Sequence, residues 1–138
     1  MPTNHDERDV ASRENASSQK NIRELEDLLK RIALGDYNEE SRDFAQVIQN
    51  NLFSGIRPHR PYFRNRGVKK APFIVLINLN MPGILLEIGF ISNPAEEKYL
   101  KQAKGQKAVV EAIYSGVKKY FHALGTVPPN QRRASLQQ

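Results

Sequence analysis

Met81-Pro82-Gly83-Ile84-Leu85-Leu86-Glu87-Ile88-Gly89-Phe90-Ile91-Ser92-Asn93-Pro94 decides the fold reading, because an apolar run carries one carboxylate and then stops at a turn and a helix start. A run such as Ile84, Leu85, Leu86 and Ile88 is continuous rather than alternating, the mark of a strand covered on both faces. The pattern predicts a strand over 83–88. A carboxylate there is costly unless an ion pair, a metal-bound water or a substrate uses it. Glu87 is therefore the first candidate site residue, at a strand end before a Gly and a turn, where open α/β sheets place their sites. The competing reading is a structural salt bridge to a basic-loop Arg. The pattern leaves both open.

Upstream, Phe73-Ile74-Val75-Leu76-Ile77 is short, apolar and partly β-branched, with Pro72 confined to its first position, so a second strand is expected over 73–78. Too few residues separate the two runs for a helical crossover, so direct pairing would be antiparallel, beside parallel strands. Downstream, Asn93-Pro94-Ala95-Glu96 reads as a helix start. Asn93 takes the N-cap, Pro94 the first helical position, and Glu96 is placed to reach back as in a capping box. That helix is expected over 94–102. A longer one over 106–124 has Val109, Ala112, Ile113, Gly116, Val117, Tyr120, Phe121 and Leu124 as its stripe, and Gly125 as its stop. Residues 125–138 are polar and read as a disordered tail.

Toward the N-terminus, residues 1–13 lack periodicity and read as an irregular lead-in that can begin a helix near Asp9. Ile22, Leu25, Leu28, Leu29 and Ile32 predict a helix over 15–34, stopped by Gly35. Phe44, Val47, Ile48 and Leu52 predict another over 39–53, capped by Asn38 or Ser41 and ended before Gly55. Arg57-Pro58-His59-Arg60-Pro61 cannot continue a helix. It opens a connector, 57–70, that holds six basic residues and no acid. Residues 1–56 carry 7 basic and 11 acidic side chains and residues 57–138 carry 14 and 4, so the net charge of +6 is unevenly spread. This loop is either a solvated surface or a meeting point for an anionic polymer. Tyr62 and Phe63 are too few aromatics for a single-strand stacking platform, and no nucleic acid partner is assigned.

A length of 138 residues with 39% hydrophobic content is one domain's worth of chain. The absence of cysteine rules out disulfides, thiolate metal sites and a cysteine nucleophile. His5, His59 and His122 make no local ligand pair, so no metal site is assigned from the residues. No serine elbow, phosphate-binding loop or dinucleotide fingerprint occurs. The opening, Met1 to Val10, is polar and acidic and reads as no export signal, and no stretch approaches the ~20 apolar residues of a membrane span.

Two runs together resemble a known family. Arg66-Gly67-Val68-Lys69-Lys70-Ala71-Pro72-Phe73-Ile74-Val75-Leu76 and Met81 through Glu97 are similar to the C-terminal half of the zinc-dependent N-acetylmuramoyl-L-alanine amidases of bacterial cell-wall turnover. The segment from Ser12-Arg13-Glu14-Asn15-Ala16 to Glu40-Ser41-Arg42-Asp43-Phe44-Ala45 is similar to an insert that some members carry. The resemblance covers roughly residues 8–122.

It implies an α/β domain, here a partial three-layer one, with strands near 73–78 and 83–88 packed on helices near 15–34, 39–53, 94–102 and 106–124. Residues 1–124 would be the C-terminal part of the catalytic domain, with a helical insert over 14–54, the basic loop 57–70 and the catalytic strand 83–88. The resemblance also implies a zinc ion held by two His and a Glu, with a further Glu beside it corresponding to Glu87. That carboxylate handles the proton of the attacking water as the bond between N-acetylmuramic acid and L-alanine breaks. The family's ligand motifs lie upstream of the segments matched here, and none of His5, His59 and His122 falls on a ligand position. The expectation is thus a peptidoglycan hydrolase of the cell envelope or exterior that is inactive alone and needs the N-terminal, zinc-binding half as partner. The alternative is a non-catalytic module that binds cell wall or another anionic polymer through residues 57–70.

Overall fold

The computed structural model describes residues 4–16, 27, 38–60, 63–71, 73–77 and 79–136. Five helices are described: α1 (Asn4–Asn15), α2 (Asn38–Ile56), α3 (Pro94–Lys101), α4 (Ala103–Thr126) and α5 (Pro129–Leu136). A 3-10 turn occupies Ile74–Leu76. The chain divides into two compact units, residues 1–42 with 68–85, and residues 43–67 with 86–138. No helix among the described residues is long and apolar enough to cross a membrane.

Among the described residues there is no strand, so the α/β expectation of a partial three-layer domain is corrected to a helical one with irregular connectors. The reason is visible in the backbone donors. In the run expected as strand 73–78, Leu76 N–H donates to the Phe73 carbonyl (3.1 Å) and Ile77 N–H to the Ile74 carbonyl (3.1 Å), so these donors close local turns instead of a ladder. Ile74 N–H donates to Asn15 Oδ1 (2.8 Å), and Val75 is 67% exposed. Over 83–88 the chain has no regular secondary structure and no neighbouring strand among the described residues. Its Gly83 N–H donates to Ser41 Oγ (3.0 Å). An apolar run proposes a strand; only a paired edge makes one.

In the first unit, α1 replaces the irregular lead-in expected over 1–13 and buries Ala11. The helix expected over 15–34, and its Gly35 stop, lie outside the described residues apart from Asn15, Ala16 and Asp27.

In the second unit α2 and α4 pair antiparallel, because Phe44 stacks on Tyr120 (centroids 4.6 Å), Ile48 lies against Gly116, and Gly55 against Ala112. α2 continues through Gly55, expected to lie beyond its end, because glycine is what the helix crossing requires. A Cβ at Gly55 would meet the Ala112 Cβ at 2.9 Å, and one at Gly116 would meet Ile48 Cδ1 at 2.8 Å. Val47, Tyr120, Ala123 and Leu136 form a buried cluster, flanked by Phe44, Leu124 and Val127. Leu136 brings α5 into this core, which corrects the disordered tail expected over 125–138. Arg132 explains why α5 folds back: its Nε donates to the Val127 carbonyl (2.9 Å) and its Nη2 to the Leu124 carbonyl (3.1 Å). A cation thereby satisfies acceptors at the negative end of α4. Gly125 is no left-handed stop; α4 runs to Thr126, Val127 is extended, and prolines follow.

Candidate active-site segment around Glu87

Glu87 sits in the irregular stretch 82–90, and its side chain is exposed, as is that of Ile88. The buried carboxylate expected from the apolar run is therefore not what forms. What is fixed is the turn just beyond it. Phe90 N–H donates to Glu96 Oε2 (2.5 Å), and Asn93 N–H donates to the Phe90 carbonyl (3.0 Å). Asn93 Oδ1 accepts from the N–H groups of Ala95 (3.0 Å) and Glu96 (3.3 Å), capping α3 with Pro94 in its first turn. The expected N-cap is thus present. Glu96, however, does not close a capping box onto Asn93; it reaches past it to Phe90 and clamps the end of the Glu87 segment onto the start of α3.

Gly89 makes that clamp possible. Its φ is +156°, and a Cβ there would stand 2.9 Å from Glu96 Oε2. A side chain would be strained by the backbone angle and would crowd the carboxylate. The clamp is further held from the basic loop, where the Arg66 guanidinium lies over the Phe90 ring at 4.9 Å. The structure shows Arg57 over Phe53 (5.4 Å), Arg60 over Tyr99 (5.1 Å) and Arg66 over Phe90. No sequence signal pointed to those ring contacts, since each ring is paired with its cation only by the fold.

Glu87 is thus an exposed carboxylate on an irregular segment whose downstream end is anchored at Phe90. His59 and His122 are both exposed, on the turn after α2 and on α4. Among the described residues no group of three or more His, Cys, Asp or Glu side chains could hold a metal ion. A cavity of about 380 Å³ in the second unit is lined by Asn51, Ser54, His59, Glu111 and Ser115, and Glu87 is not part of it.

Residues 15–119 match the family described as N-acetylmuramoyl-L-alanine amidase, about three quarters of the chain. The chain belongs to that family. The amidase-family chain is similar to N-acetylmuramoyl-L-alanine amidase AmiA of Escherichia coli, 28% identical over 82% of this chain and 40% of the relative. It is similar also to the germination-specific N-acetylmuramoyl-L-alanine amidase of Bacillus subtilis, at 35% identity over 68% of this chain and 38% of the relative. A probable cell wall amidase, LytH of Staphylococcus aureus, is 39% identical over 63% of this chain and 28% of the relative. The chain thus spans 28–40% of the length of these relatives. No solved structure matches it.

Proposed function

We propose that this chain is the C-terminal part of a peptidoglycan amidase catalytic domain, hydrolysing the amide between N-acetylmuramic acid and L-alanine in the cell envelope, with Glu87 as its proton-handling carboxylate. The observation that carries this reading is the family match over residues 15–119, within which Glu87 is a carboxylate open to solvent. In amide hydrolysis water adds to the carbonyl carbon, the C–N bond breaks, and the departing amine needs a proton. A carboxylate that takes the proton from water and returns it to nitrogen serves both steps. The clamp from Glu96 to Phe90 positions the segment that carries it.

Zinc is the metal of the family, and the described residues do not fit it: they hold no three-ligand set, and the sequence has no cysteine. No step through a metal is therefore assigned to them; in this reading the metal is held by a ligand-bearing segment outside the described residues. α4 supplies a surface for that segment. Val110, Tyr114, Val117, Phe121 and Leu124 recur alternately four and three residues apart, and Val110, Tyr114 and Phe121 are 63%, 64% and 63% exposed. This second stripe stands beside the buried one of Val109, Ala112, Gly116, Tyr120 and Ala123, giving α4 a wider apolar arc than one packed face needs.

The test is reconstitution. The purified 138-residue chain is expected to hold no stoichiometric zinc and to release no L-alanine-linked peptide from peptidoglycan. Co-expressed with the zinc-ligand half of an amidase relative, it should release that peptide, and Glu87→Gln should lower the rate by ~10²- to 10⁴-fold with zinc content unchanged. Full activity of the reconstituted Glu87→Gln protein would remove Glu87 from the chemistry.

A further inference from the structure

We infer that Arg57, Arg60, Arg64 and Arg66 form a second binding site, for a linear polymer bearing closely spaced phosphodiester anions. The sequence has no acidic residue between Asp43 and Glu87, so nothing within that stretch neutralises these cations. Three of the four guanidiniums are held on aromatic faces: Arg57 over Phe53 (5.4 Å), Arg60 over Tyr99 (5.1 Å) and Phe63 (6.0 Å), and Arg66 over Phe90 (4.9 Å). Arg64, between them, is exposed. Hydrogen bonds also hold several of the described residues around them. Phe63 N–H donates to the Arg60 carbonyl (2.9 Å), Gly67 N–H to Asn65 Oδ1 (2.8 Å), and Gln49 Nε2, from α2, to the same Oδ1 (2.7 Å). Phe63 in turn packs on Phe53 (centroids 6.2 Å).

A guanidinium resting over a ring face still has N–H donors that can fork onto an oxyanion. Because ring and turn already restrict it, less side-chain freedom is lost when a ligand arrives. Spacing then selects the ligand. Consecutive arginines are separated by three, four and two residues, a backbone reach of at most ~14 Å. A polymer with one phosphodiester in each short repeat can engage several at once. Peptidoglycan carries its carboxylates on peptide branches of an uncharged glycan and matches this spacing less well.

The experiment measures retention of the whole chain on poly(glycerol phosphate), with phosphate-free peptidoglycan and polyglutamate as parallel matrices. No hydrolysis is involved, so the result is independent of the amidase reading. Binding to the polyphosphodiester is expected to be tighter than to either other matrix, and to weaken roughly tenfold or more between 50 and 200 mM salt if three anions are contacted. The variant Arg57→Gln/Arg64→Gln, with folding checked by circular dichroism, should weaken binding at least tenfold. Phe90→Leu removes the ring beneath Arg66 without altering charge and should weaken it severalfold. Equal retention on the three matrices, salt-independent binding, or native affinity in the arginine variant would overturn the site.

Discussion

At Gly89 the consequences of a single hydrogen atom can be followed. Its φ of +156° and the 2.9 Å separation from Glu96 Oε2 that a Cβ would have predict that Gly89→Ala destabilises the second unit by ~1–3 kcal/mol. Urea denaturation of the variant against the native chain measures it. Glu96→Ala removes the acceptor of the Phe90 N–H and should cost ~1.5–3 kcal/mol in the same assay, the range for a lost bond to a charged group. The double variant should cost less than the sum of the two, because both act on one clamp; strict additivity would show that the clamp is not shared. Asn93 as cap and Pro94 after it were legible in the sequence, since capping is a local matter of a few residues. The Glu96 to Phe90 bond was not, because the sequence offers the Asn93 N–H as an equally near donor and only the turn decides between them. Glu87 was legible as an unusual carboxylate but not as an exposed one.

Among the elements, the helices whose stripes pack on a described neighbour were read nearly to their ends. α2 and α4 were expected over 39–53 and 106–124 and are observed as Asn38–Ile56 and Ala103–Thr126. Each extends past the glycine expected at or beyond its end, because Gly55 serves the helix crossing and Gly125 has no positive φ. The strands failed for a different reason: an apolar run says that a segment seeks cover and does not say which geometry supplies it. The tail failed because its composition is polar while two of its residues have specific partners. From those partners, Arg132→Ala should cost ~1–2 kcal/mol through the lost bonds at the α4 terminus, and Leu136→Ala ~2–5 kcal/mol through the cavity left in the Val47–Tyr120 cluster. Thermal melts followed by far-ultraviolet circular dichroism test both. A tail without structure would leave either melt unchanged.

For the whole molecule, the exposed stripe of α4 and the division into two units bear on the same question, namely what completes the fold. A cooperative 138-residue domain should unfold with an enthalpy of about 95 kcal/mol near 60 °C. With Val110, Tyr114 and Phe121 exposed and no sheet among the described residues, the isolated chain should fall well short of that in calorimetry. Replacing the three exposed residues separates their two possible roles. In the chain alone, Val110→Glu/Tyr114→Gln/Phe121→Glu should leave the melting temperature within a few degrees of the native value, because side chains more than 60% exposed contribute little burial to lose. In the presence of the ligand-bearing amidase half, the native chain should melt higher, since a partner that binds only the folded form stabilises it. The triple variant should lose that gain together with the reconstituted hydrolysis. If the variant were instead stabilised as much as the native chain, the α4 stripe would not be the docking face, and the partner segment would have to pack elsewhere.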